Sequence, residues 1–93
     1  MINQMYVIFD SKAGIYNKPF FFINHQVAIR ACRELLAEEQ NEITKHPSDF
    51  AMFHVGEYDD ETAHIKVAQT QNVIVKFHEL KSLINQEQNT DAN

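Results

Sequence analysis

Five histidines, one cysteine and a short run of acids are the residues of this chain whose types suit metal or nucleophilic chemistry. Their spacing supports little of it. His54 and His64 would share the solvent face of a hairpin, near enough to hold one ion, but no Cys or His follows at zinc-like spacing, and two ligands leave a tetrahedral site half built. Asp59, Asp60 and Glu61 make too short a loop for calcium and lack the closing Glu such loops carry. With only Gly14 and Gly56 in the chain, there is no glycine-rich phosphate cradle. Cys32 falls on the apolar stripe of a helix with no base at a recognised spacing, which marks a packed thiol. No nucleophile–base pair can be placed. The expectation is a non-enzyme without metal or cofactor.

The other chemistry available is charge. The chain carries a net charge of −5 over 93 residues, which argues against a general nucleic-acid binder, yet the charges are unevenly laid out. From Ser11 to Arg33 there are four bases (Lys12, Lys18, Arg30, Arg33) and no acid. From Glu34 to Glu61 there are nine acids and one base, Lys45. The basic stretch also holds Tyr16 and the run Phe20-Phe21-Phe22. Aromatic faces flanked by cations suit a single-stranded nucleic acid, whose bases stack while its phosphates are neutralised. Strand alternation puts Phe20 and Phe22 on one side and Phe21 on the other. Phe21 is therefore the phenylalanine free to act as a stacking platform, with Lys12, Tyr16, Lys18, Arg30 and Arg33 around it.

These residues are positioned by an amphipathic helix expected from about His25 to Gln40. Asn24 is its N-cap, and Ala28, Cys32, Leu35 and either Ala31 or Leu36 form its buried stripe at spacings of three and four. Arg30 and Arg33 in its first half, and Glu38 and Glu39 near its end, oppose the helix dipole. Gln4–Asp10 reads as a central strand covered on both faces. Residues 11–19 form a loop, and Phe20–Ile23 is an edge segment, since Pro19 offers no N–H to a ladder. Pro47 prevents the helix from continuing through 42–49. Residues 51–66 read as a hairpin turning at Asp59–Thr62, whose apolar faces match only if the paired residue numbers add to an even sum, for instance Val55 opposite Ile65. Val73 to Ile84 fits two readings: a helix capped by Asn72 with Val73, Phe77, Leu80 and Ile84 on one stripe, or, the reading favoured, a short extended segment followed by a helical turn from about Phe77.

The fold class is thus α+β in the order β-β-α-β-β, with one long helix on a mainly antiparallel sheet. Residues 1–86 make one domain and 87–93 a disordered tail. No apolar run is long enough to span a membrane, no secretory signal is present, and a lone cysteine suits an intracellular protein.

Two blocks of residues carry a resemblance. The first is Tyr6, Asp10-Ser11-Lys12-Ala13, Tyr16, Pro19-Phe20 and Ala28-Ile29-Arg30. The second is Pro47, Asp49-Phe50 and Val55-Gly56-Glu57-Tyr58-Asp59-Asp60-Glu61-Thr62. Together they resemble the small non-structural protein of gokushovirus-type microviruses, phages with small circular single-stranded DNA genomes. One departure is Ala63, where the pattern has Gly after the turn, which argues against a left-handed residue closing it. The resemblance implies a DNA-binding protein that acts in the host cytoplasm where viral DNA synthesis gives way to packaging. Single-stranded DNA is the implied partner. Replication or capsid proteins are the alternative, with the chain serving as an adaptor through its acidic block. Surplus aromatic residues on a small domain also suggest a homodimer.

Overall fold

A computed structural model describes the backbone of residues 1–91 and the side chains of residues 1–88. Its spine is β1 (Ile2–Asp10), a run of mostly β-favouring residues. Along one side β1 pairs antiparallel with β4 (Phe50–Asp59) over its full length. Its other side is shared by two short strands, β2 (Ile15–Tyr16) opposite Phe9 and Asp10, and β3 (Phe20–Phe22) opposite Gln4 to Tyr6. Asn17 spans the gap between them. Its Oδ1 accepts the Ile8 N–H at 2.8 Å and its own N–H donates to the Ile8 carbonyl at 2.9 Å, so the strand's polar groups stay paired there. β5 (His64–Lys76) lies outside β4, giving the order β2-β1-β4-β5 with β3 also on β1.

Three helices pack on one face of this sheet. α1 (His25–Ala37) starts at Asn24, whose side chain accepts from the Val27 N–H at 2.9 Å. It brings Ala28 and Cys32 down onto Tyr6, Ile8, Met52 and Val75 of the sheet, and α3 (Phe77–Asp91) adds Phe77 and Leu80 to the same core. α1 stops at Ala37 rather than near Gln40. The physical reason is a competing cap: the Leu35 carbonyl accepts from Glu38 N–H at 3.2 Å, Asn41 Nδ2 at 2.9 Å and Thr44 Oγ1 at 2.9 Å. Asn41 in turn caps the short α2 (Glu42–Lys45) through the Thr44 N–H at 2.7 Å. A 3-10 turn at Pro47–Asp49 then leads into β4.

Four expectations are corrected. The hairpin pairs Tyr58, not Val55, with Ile65. Matching apolar faces cannot set the register there, because residues 64–67 are exposed on both faces, His64 and Lys66 on the helix side as well as Ile65 and Val67 on the other. The turn sets it instead: the Ala63 N–H donates to the Asp59 carbonyl at 2.8 Å, and Ala63 takes a φ of 61°. A left-handed residue does close the turn, at some strain without glycine. Further along, one residue of β4, Val55, faces residues 68–71 of β5, a wide bulge that resets the ladder. β1, expected to be covered on both faces, has helices over one only. Finally, the helix beginning at Phe77 extends to Asp91, taking in much of the expected tail 87–93, of which 92–93 lie outside the described residues. The molecule is elongated, 50 × 30 × 23 Å, with the β4–β5 arm at one end.

Candidate nucleic-acid interface

Strand pairing assigns side chains to the two faces, because directly opposed residues share a face and neighbours in sequence alternate. Tyr6, Ile8 and Met52 point to the helices. Met5, Val7 and Phe9 of β1 therefore point away, together with their partners Phe21, Phe53 and Tyr16. Tyr58, Ile65, Val67 and Val73 extend the same face across β4 and β5. No described helix covers it. Its ring contacts agree: Phe9 lies 4.6 Å from Tyr16, Tyr16 lies 6.3 Å from Phe53, and Phe21 lies 5.7 Å from Tyr58. Tyr16 is 48% and Phe21 46% exposed, while Phe20 and Phe22 pack against the core as alternation requires.

This face carries no acid at any paired strand position. Glu57 and Asp59 fall on the helix side, opposite Gln4 and Ile2. Lys76, opposite Ala51, is the cation within the paired region of the open face.

The six residues singled out by sequence do not gather on one surface. Tyr16 and Phe21 lie on the open face, and Lys18 is exposed in the loop that joins their strands. Lys12 sits in the turn after β1 and lines a cleft with Asp10, Glu42 and Asp49, so acids surround it. Arg30 is exposed on α1, in the helix layer on the other side of the sheet. Arg33 is held by Glu87 of α3 in a two-pronged pair of 3.0 and 3.2 Å. That hydrogen bond raises the guanidinium further and holds the Glu87 carboxyl below its usual range. Being exposed, the pair adds little stability, but it does tie α1 to α3.

Sequence reasoning missed Phe9, Phe53 and Tyr58 as members of the aromatic face. The available signal was the alternation Met5-Val7-Phe9 against Tyr6-Ile8, which a continuous apolar run obscures.

The histidines part company too. His64 pairs with Asp59 near the arm's tip, whereas His54 lies on the helix side beside Tyr6. The Tyr6 hydroxyl and His25 Nδ1 are 2.7 Å apart, His25 and His54 stack edge-on at 4.8 Å, and His54 Nε2 meets Gln4 Oε1 at 2.8 Å. Burial, then the neighbouring His25, holds the His54 imidazole below its ordinary value. Burial also pushes the Cys32 thiol up to about 12, which removes the thiolate a nucleophile needs. Among the described residues, no group of three or more His, Cys, Asp or Glu side chains is arranged to hold a metal. At the arm's tip the Met1 ammonium sits 2.7 Å from Asp60, with Asp59 and Glu61 within 4 Å.

The fold is a two-layer α+β domain with helices on one sheet face and, on the other, an aromatic surface with no acid at its paired strand positions. The family model for the Phage ORF5 protein matches residues 3–80, and the chain belongs to that family. It is a phage protein, and no helix among the described residues is long and apolar enough to cross a membrane. Comparison with curated proteins and with solved structures returned no match.

Proposed function

We propose that this phage accessory protein binds single-stranded DNA on the open sheet face, as a non-enzymatic factor of microvirus-type DNA synthesis or packaging in the host cytoplasm. The observation that carries the reading is the exposure of Tyr16 and Phe21 on a face with no acid at its paired strand positions. A repelling carboxylate would cost a phosphate backbone most, and the one beside this face, Asp49, lies at its end in a cleft with Phe9, Ala51 and Lys76. Bases stacked on such rings gain about 1–3 kcal/mol each, with little regard to sequence. Lys18 and Lys76 supply nearby positive charge, and the remote Arg30 and the paired Arg33 take no direct part. With so few cations, the salt dependence is shallow: each neutralised phosphate adds about 0.7 to the log–log slope for single strands.

The adaptor alternative draws less support, because its acidic block is dispersed. Glu34 and Glu38 lie on or at the end of α1, Glu42 and Asp49 lie beneath it, and Asp60 is occupied by the Met1 ammonium.

Anisotropy titration of a labelled oligothymidylate at two salt concentrations tests the proposal. Phe21→Ala and Tyr16→Ala are each expected to weaken binding about fivefold to a hundredfold with an unchanged salt slope. Lys18→Gln should flatten the slope by about 0.7. Absence of binding at low salt refutes it.

A further inference from the structure

The open face is larger than base stacking needs, and its two halves differ in chemistry. Tyr16 and Phe21 lie along β2 and β3, where rings are exposed. Towards β5 the exposed side chains are Ile65, Val67 and Val73, at 56%, 76% and 46%. Branched aliphatic groups present no flat surface to a base; Ile65 and Val67 stand two residues apart on β5 and Val73 lies beyond the 68–71 bulge, exposed apolar groups of the kind that mark a protein contact.

We propose that a second copy of this chain packs face to face on the open sheet, so that self-association and single-stranded DNA compete for one surface. The competition rests on the DNA reading above; the self-association does not. Size supports the choice of occupant. Three strands about nine residues or more in length, β1, β4 and β5, with the two-residue β2 and three-residue β3 as a partial fourth row, present a face of roughly 19 by 30 Å at its widest, at about 4.8 Å per strand and about 3.3 Å per residue. Side-chain relief brings its accessible area towards the about 800 Å² per partner of a standard interface. Charge supports it as well. The paired positions of the face hold no acid and one base, Lys76, which lies at its end opposite Ala51. Two copies related by a two-fold axis can therefore meet without burying an unpaired charge, and each offers the other the same apolar surface. Two twisted antiparallel sheets pack in this way at about 10 Å separation.

The test is sedimentation velocity of the full chain from low to high micromolar concentration, with and without oligothymidylate. Expected are a monomer–dimer equilibrium for the wild type and at least about tenfold weaker association for the uncharged double variant Val67→Asn/Val73→Asn. Both positions are exposed, so the variant keeps its fold, which its circular dichroism melt verifies. Saturating oligothymidylate should convert dimer into monomer–DNA complex, and the double variant should bind DNA no more weakly than the wild type. A monomer at every concentration overturns the proposal, as does a dimer indifferent to the double substitution. DNA bound to an intact dimer overturns the competition. A substitution-sensitive dimer that binds no DNA upholds the self-association and refutes the DNA reading alone.

Discussion

The two faces of one sheet were built for opposite tasks. On the helix side, Tyr6 and Met52 are fully buried and Cys32 is 2% exposed, with every neighbour supplied by the chain itself. On the other side, residues of the same strands, one step along, end at a surface of rings and branched aliphatics over which no described helix packs, with Val7 buried among them and Tyr16, Phe21, Ile65, Val67 and Val73 exposed. Alternation alone separates them. The lesson is that hydrophobicity in a strand does not reveal what will cover it. One face satisfies its apolar groups internally, and the other has no described helix over it.

The sharpest break between the faces is expected from a charge. Cys32→Asp buries an unpaired carboxylate in the core and should unfold the domain. Val67→Asp on the open face should shift stability by no more than about 0.5 kcal/mol in dilute solution. A normal melting transition for Cys32→Asp would mean that α1 buries a different stripe. Next in size is Gly56→Ala. A Cβ there would stand 2.5 Å from the Lys66 carbonyl oxygen, a backbone atom that cannot swing aside. Forcing β4 and β5 apart at that point should cost about 1–3 kcal/mol, read from urea midpoints. An unchanged midpoint would show that the arm tolerates separation.

Ala63→Gly has the opposite sign. Ala63 holds a φ of 61°, and glycine relieves that strain while losing some chain entropy, for a net gain of about 0.5–1 kcal/mol. A loss of stability would mean that the Ala63 methyl makes a compensating contact. The smallest effect concerns pH and belongs to the covered face. The folded state holds the His54 imidazole below its ordinary value of 6.5, so the unfolded chain binds its proton more readily. Stability from this residue is therefore full above about pH 6.5 and is lost as pH falls through that value towards the depressed folded one. Glu57 and Gly56 pull the other way but less strongly than burial and His25. His54→Gln should flatten the dependence of melting temperature on pH between neutral and mildly acidic buffer. A slope that survives the substitution would overturn the assignment of the pH dependence to His54.

Local physics was legible in the residues themselves. Asn24 capping α1, the spacing of Ala28 and Cys32, Pro19 closing an edge strand, and the switch from extended chain to helix at Phe77 all rest on contacts within a few residues. So did the opposite facing of Phe21 and its two neighbours. What the tertiary structure decided was everything set by distance along the chain. The hairpin register depended on whether a core lay beneath the arm, and none does. Arg33 depended on Glu87, 54 residues away, and Lys12 on acids brought beside it by α2 and the turn before β4. His54 and His64, ten residues apart and in phase for a simple hairpin, were separated by the turn, which pairs His64 with Asp59, five residues along β4 from His54. The open face itself could not be read from β1, because an apolar strand looks the same whether a helix covers one side of it or both. Only the packing of α1 and α3 on a single side determined which aromatic residues were left exposed.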